Sequence, residues 1–357
     1  MRTGHGTRQS FSSANRHAGS AGVRSPPKTP VIFSWNWHRI CPVVDNPFVR
    51  FFVAITDSDW FSYLSSLISL DEVNFWQPRG SVDFKALLPG EPFLFKLHSP
   101  NDFIVGGGFF SHHSILPFSL AWSAFETKNG VKTQEEMRVR MERYRRAAPN
   151  PKEDYSVGCI LLESPFFFDR NDWIPLPNWQ KQIVRGKAFE AETEPGKSLW
   201  DRVESVLRAK HLVPQEEAAL LSGKPKFGAP QTILPRLGQG SFRILITDVY
   251  KRTCAMSGSH VLHVLDAAHI KPYSKGGEHV VNNGLLLRQD LHTLFDRGYL
   301  TVTPEYKVEV SQRIKEEFNN GKEYYAMHGT KLGVPESIAF LPDPSLLEWH
   351  NERIFAD

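Results

Sequence analysis

The stretch "DAAHIKPYSKGGEHVVNNGLLLRQDLHTLFDRG", Asp266 to Gly298, sets three histidines, two adjacent asparagines and four acidic residues around a short apolar run. The run "HVLHVLDAAHI" ends just before Lys271 and Pro272, which predicts a strand with His269 near its end. A polar, glycine-rich loop follows. "NNGLLLRQ" returns as a second strand from Asn283, and "DLHTLFDRG" reads as a short helix opened near Asp290 and closed by Gly298. On that helix His292 and Asp296 are four residues apart, so both side chains leave one face toward the same point.

A histidine at a strand end, an asparagine on the partner strand and a His/Asp pair on the packed helix suit phosphodiester hydrolysis with one metal. Imidazole and carboxylate hold divalent ions such as Mg²⁺, Mn²⁺ or Zn²⁺ and leave positions open for phosphate. A neutral imidazole nearby can take the proton of an attacking water, because it titrates near working pH. The asparagine can fix that imidazole through a hydrogen bond.

The segment "AAHIKPYSKGGEHVVNNGLLLRQDLHTLFD" resembles the ββα-metal motif of HNH endonucleases. Its His, Asn and His fall on His269, Asn283 and His292, with eight residues between the last two. The resemblance implies that His269 is the general base, that Asn283 holds the strands and orients it, and that His292 and Asp296 bind the metal, Mg²⁺ or Mn²⁺ ahead of Zn²⁺. Many members carry a metal-binding Asp or His just before the base, where this chain has Ala268. Asp266 is the nearest carboxylate and completes the expected ligand set. His260, His263 and His279 are expected to lie outside it. A single cysteine in "CAMSG" cannot build a zinc site, so Cys254 is expected to be a buried packing residue.

The rest of the chain bounds what this segment can serve. A length of 357 residues suits two domains, each with its own core. A formal net charge of +3 excludes a polybasic nucleic-acid binder and confines any such role to local clusters. Three cysteines at wide spacing fit a reducing cytoplasm and exclude a disulfide framework. No apolar run reaches the roughly 18 residues of a membrane span. The first 44 residues hold no Asp or Glu and are rich in Ser, Gly, Arg and Pro, so residues 1–48 are expected to be a disordered basic arm or a spurious extension.

From Phe51 the texture becomes strand, then an amphipathic helix carrying Trp60, Phe61, Leu64, Leu67 and Ile68 behind an Asp57/Ser58 cap. "EPFLFKLHSP" and "NDFIVGGGFFSHH" predict a hairpin, with three glycines marking a bulge or a close approach of backbone or ligand. A capping box from Thr133 to Glu136 opens a helix whose one face holds Arg138, Arg140, Arg143, Arg145 and Arg146, a solvated face or a phosphate contact. Residues 191–240 read as a linker with one helix, and the nuclease domain as 241–357, closed by a hairpin around Pro304 and Glu305.

Residues 49–190, through "DFKALLPGEPFLFKLH" and "FIVGGGFF", are similar to the PUA-like superfamily of EVE, ASCH and SRA modules, some of which flip a modified base out of the duplex. The resemblance implies an α+β chain: a PUA-like β-barrel with flanking helices, then an HNH ββα-metal domain. Candidate base-binding residues are Asn74, Trp76 and Gln77 in "VNFWQPRG", with Trp173 and Trp179; Arg79 and Lys85 are candidates for phosphate. The expected function is a cytoplasmic endonuclease that restricts double-stranded DNA bearing modified bases, working as a homodimer where both strands are cut. The alternatives are a non-catalytic nucleic-acid binder with a degenerate HNH module, and an HNH nuclease indifferent to modification.

Overall fold

The computed structural model describes residues 50–80, 83–146, 150, 152–180, 182–210 and 237–355. The arm expected over 1–48, and residues 211–236 of the expected linker, lie outside them. The first module runs β1 (Arg50–Thr56), α1 (Ser58–Ser65), β2 (Glu72–Gln77), β3 (Pro92–Leu97), β4 (Phe103–Pro117), α2 (Phe118–Phe125), α3 (Gln134–Arg145), β5 (Ser156–Phe167), β6 (Ile174–Pro175), β7 (Gly186–Glu190) and α4 (Gly196–Ala209). Its strands form one sheet in the order β2-β5-β4-β3-β1-β7, with β6 on β4. Only β1 and β3 pair in parallel. The sheet is open: β2 and β7 are its two edges, so among the described residues the ladder does not close into the expected barrel.

Local chemistry explains the elements. The Asp57 carboxylate accepts from the N–H groups of Asp59 and Trp60 and starts α1, which buries Trp60, Phe61 and Leu64. The helix stops at Ser65, earlier than the apolar spacing predicts, and Ile68 is left 93% exposed. The three glycines of β4 do mark a close approach, and the approaching group is neighbouring backbone: a Cβ on Gly106 would lie 2.3 Å from the carbonyl oxygen of Phe166, and one on Gly107 would lie 2.7 Å from that of Phe93. Register shifts in the same ladders accommodate the bend. Thr133 caps α3, which buries Met137 and Met141. Much of its arginine face is held by the module itself. Arg138 lies over Phe118 and Arg145 over Tyr155, and Arg140 pairs with Glu136 at 2.7 Å; Arg143 and Arg146 face solvent. The helix expected inside the linker, α4, sinks Leu199, Val203 and Leu207 into a cluster with Phe51, Leu94 and Ile104 of the sheet.

The second module comprises α5 (Gln239–Val249), β8 (Leu265–His269), β9 (Gly284–Arg288), α6 (Gln289–Asp296), β10 (Leu300–Val302), β11 (Val308–Val310), α7 (Arg313–Phe318), α8 (Lys322–Tyr325) and α9 (Pro344–Arg353). Strands β8 and β9 pair antiparallel from Leu265↔Arg288 to His269↔Gly284, and β10 and β11 form the predicted hairpin. Gly298 ends the turn after α6 at φ +74, where a Cβ would also strike the carbonyl oxygen of Ile354 at 2.0 Å. The two modules share α5. Its Phe242 and Ile246 enter the second core with Leu285, Leu287 and Phe295, while Ile244 enters the first with Leu116, Phe125 and Val157. At its N-terminus the buried Glu72 carboxylate of β2 accepts from Gly240 N–H and Ser241 N–H, each at 2.8 Å, and from Lys128 at 2.9 Å. An anion on a helix N-terminus is favoured by the unpaired amides and the helix dipole. No described helix is long and apolar enough to cross a membrane.

Candidate active site

Strand β8 carries Asp266 and Ala268 at alternate positions and ends at His269, which feels the charges of His292 and Asp266. Helix α6 packs across β8 and β9 because Leu291 and Phe295 are its buried stripe, and that rotation turns His292 and Asp296 toward the strand face bearing Asp266. His292 stands between two carboxylates: Nδ1 is 3.4 Å from Asp266 and Nε2 is 3.3 Å from Asp296. Asp266 also faces Arg243 of α5 at 3.3 Å. The carboxylate two residues before Ala268 therefore reaches the position that Ala268 cannot serve, since residues i and i−2 share a face of a strand.

Asn283 is buried and fastens the loop between the strands. Its oxygen accepts from Lys271 N–H at 2.8 Å, and its amide donates to the carbonyls of Lys271 and Glu278, each at 2.9 Å. A Cβ on Gly277 would lie 1.9 Å from the Lys271 carbonyl oxygen, so glycine there lets the loop close over the asparagine. Asn283 makes no side-chain hydrogen bond to the ring of His269; its backbone carbonyl instead accepts from Ile270 N–H at 2.9 Å. The ring is held by other groups. Phe242 stacks on it at 4.1 Å between centroids and 15° between planes, and its Nε2 stands 2.9 Å from Nδ1 of His279. His279, expected to stand apart from the site, is in direct contact with its central imidazole. The sequence carries no spacing signal for this, because ten residues of irregular loop separate the two histidines.

Electrostatics divide the histidines by role. Burial, followed by His279 and His292, pushes His269 down to about 4, so it is a neutral imidazole at ordinary pH. Burial also pulls on His292, but the Asp266 hydrogen bond and the Asp296 charge outweigh it and hold the imidazole above its ordinary value. Asp266 is lowered despite its burial, by His292 and Arg243, whereas burial raises Asp296. Among the described residues no three His, Cys, Asp or Glu side chains converge to hold a metal ion. The fit is that of an ion taking few protein ligands. His292 and Asp296, whose Nε2 and carboxylate stand 3.3 Å apart on one face of α6, are the side chains that could hold such an ion. The rest of the shell would fall to water and phosphate, as hard divalent ions accept. Asp266 on the far nitrogen is then placed to orient the imidazole.

The first module contains a cavity of about 340 Å³, near the lower end of the roughly 300–1,000 Å³ usual for ligand pockets. Trp76, Gln77 and Arg79 line it, joined by Phe52, Tyr144 and Arg185, which sequence reasoning did not single out. Tyr144 donates to the Asp57 carboxylate at 2.5 Å, and its ring lies 6.2 Å from that of Trp76. Asn74 and Trp173 stand outside the wall. Asn74 is fully buried with its amide on Asn129 at 2.9 Å, and that same Asn129 accepts the Trp76 indole N–H through its backbone carbonyl at 2.8 Å. Trp173 donates to the Phe168 carbonyl and packs on Phe61 and Phe103, and Trp179 donates to the Ile183 carbonyl. Lys85 is exposed beside Asp83. Cys254 is buried, its sulfur accepting from Arg288 N–H at 3.3 Å.

Residues 254–303 match a protein-family model described as HNH endonuclease, a span that holds β8, β9 and α6 with all four of His269, Asn283, His292 and Asp296. Among solved structures, the "Modification dependent TagI restriction endonuclease" aligns over 85% of this chain and 81% of its own at 12% identity and a TM-score of 0.24, a superposition too loose to inform the fold. No curated protein matches the chain.

Proposed function

We propose that this chain, an HNH-type endonuclease by the match over residues 254–303, cuts double-stranded DNA in the cytoplasm at sites selected by a modified base held in the cavity of its first module. The observation that carries the reading is the occurrence, in one chain, of the His292–Asp296 pair, with His269 near enough to feel the His292 charge, and of a base-sized cavity walled by Trp76, Gln77, Arg79 and Tyr144. A flipped base costs a few kcal/mol of lost stacking, which Trp76 and Tyr144 offset by stacking while Gln77 reads its edge and Arg79 meets phosphate.

His292 and Asp296 would hold a divalent ion, Mg²⁺ or Mn²⁺ before Zn²⁺, with Asp266 fixing the His292 ring. Such an ion would supply electrostatic stabilisation of the charge that builds up during phosphodiester cleavage. His269, neutral and walled by Phe242, accepts the proton of the attacking water. Asn283 keeps the loop closed so that His269 and α6 stay in register. One such centre cuts one strand, so two copies acting together would cut both.

The deciding experiment is cleavage of matched unmodified, 5-methylcytosine and 5-hydroxymethylcytosine duplexes in Mg²⁺ and in Mn²⁺, with His269→Ala as control. Cutting confined to a modified duplex and abolished in His269→Ala is expected. Equal cutting of all three duplexes would remove the reader role, and full activity in His269→Ala would remove the catalytic assignment.

A further inference from the structure

We propose that His279 is a positioning residue of the nuclease, setting the tautomer of His269 so that Nδ1 carries the lone pair that accepts the proton of water. The inference rests on the reading of His269 as general base. Two neutral imidazoles whose nitrogens stand 2.9 Å apart share one proton across the contact. Nε2 of His269 is committed to that contact, so only Nδ1 is left to meet a water. It accepts a proton only if the ring's own hydrogen sits on Nε2 and is donated to Nδ1 of His279. The opposite arrangement, with His279 donating, would put a hydrogen on Nδ1 of His269 and leave the ring without a free accepting atom. Among the described residues Nδ1 of His269 makes no hydrogen bond that would compete for it.

The surroundings hold the pair in place. His279 is itself fixed: Tyr273 stacks on its ring at 4.9 Å and 11°, and its backbone carbonyl accepts from Leu237 N–H at 3.1 Å. The charged groups acting on it come from the other module, the carboxylates Glu72 and Asp71 with Lys128 opposing them. Phe242 and Tyr273 thus close the two ends of a row of four rings, with the histidine pair between them meeting edge to face at 4.9 Å and 66°.

In the reaction a water O–H bond breaks as its oxygen bonds phosphorus, the proton goes to Nδ1 of His269, and the P–O bond to the leaving oxygen breaks, that oxygen taking a proton from solvent. The imidazolium so formed donates from Nε2 to His279 more strongly than the neutral ring did, because a charged donor makes the stronger bond. The partner therefore helps where the positive charge develops. This arrangement gives the loop histidine a chemical role that neither Asn283 nor the metal ligands can fill, since none of them contacts the Nε2 edge.

Two measurements on the full chain test this. The first is the ¹⁵N histidine spectrum of the metal-free protein, in which His269 is expected as the Nε2–H tautomer in the wild type and as a mixture in His279→Ala. The second is DNA cleavage, where His279→Ala is expected to lower kcat roughly tenfold or more with KM for DNA little changed. His279→Asn, whose side-chain oxygen falls where Nδ1 stood, should recover most of that loss, and His279→Gln should not. An Nδ1–H tautomer in the wild type, an unchanged kcat in His279→Ala, or equal impairment in the Ala and Asn variants would each overturn the proposal. If the wild type cuts no DNA, the nuclease reading of His269 fails instead, and the spectrum still decides the tautomer.

Discussion

Asp266 is the residue on which the reading of the metal site turns. Spacing from the helix pair picked out His292 and Asp296, because a helical turn sets both on one face whatever packs against it. Spacing could not decide Asp266, whose direction depends on how β8 meets α6; the 3.4 Å contact with His292 Nδ1 does. Its geometry is that of a carboxylate bracing an imidazole from behind, with Asp296 on the other nitrogen. Asp266→Asn is accordingly expected to weaken Mn²⁺ binding by roughly tenfold to a hundredfold, measured by titration calorimetry, while Asp296→Asn removes it. Undiminished Mn²⁺ affinity in Asp266→Asn would sink the bracing role, and complete loss would make Asp266 a direct ligand. The base-reading set divides in the same way. Trp76, Gln77 and Arg79 reach the cavity, while Asn74 is consumed by Asn129. Asn74 and Trp76 share one face of β2 and both bond Asn129, so what separates them is depth in the packed core, which spacing alone does not carry.

At the scale of elements, α5 joins the modules. The strand, loop, strand and helix around the opening stretch follow from local signals: a proline after His269, glycines in the loop, Gly298 after α6. The shared use of α5 has no such signal, because its apolar residues serve two cores from two sides of one helix. Its N-terminus is fixed by Glu72, a strand residue 168 positions earlier in the chain. Replacing that carboxylate takes the charged acceptor from two amide donors and one of two carboxylates from Lys128, which keeps Asp71 at 2.7 Å; losing hydrogen bonds to a charged group costs about 1.5–3 kcal/mol. Glu72→Gln is expected to lower the urea midpoint and to split unfolding into two transitions, one per module, when Trp fluorescence and amide circular dichroism are followed together. A single transition at the wild-type midpoint would mean that the apolar contacts of Ile244 suffice to hold the modules.

For the whole molecule, stability in acid depends on contacts that close the second module. His350 of the last described helix, α9, is 2% exposed, stacks on Phe295 at 3.8 Å and bonds Thr301 at 2.8 Å, tying α9 to α6 and β10. Burial pushes it down to about 4 from an ordinary 6.5, against a smaller opposing contribution from the Phe295 carbonyl. Between those values the unfolded chain binds a proton at this position and the folded chain does not, so stability falls as pH drops from about 6.5 to about 4. The loss is on the order of 2–3 kcal/mol. Urea titrations across that window should therefore slope more steeply in the wild type than in His350→Gln, and parallel slopes would contradict it. Glu163 works the other way. Burial pushes it up to about 7, so its protonation favours the folded state as pH falls, equally in both proteins.

The sequence by itself determined the nuclease motif, the order of its elements and the α+β character of the chain, because each rests on short-range rules: turn residues, capping, and side chains four apart on a helix. It also marked the close approach at Gly106 to Gly108, though not what approached. Only the tertiary structure decided that the described strands of the first sheet do not close on themselves, that Asp266 faces His292, that His279 meets His269, and that Trp76 borders a cavity while Asn74 fills a core. Each of these depends on which surfaces are buried against one another. Burial is a property of the packed chain, and two residues distant or irregularly spaced in sequence become neighbours only when a shared apolar core brings their elements together.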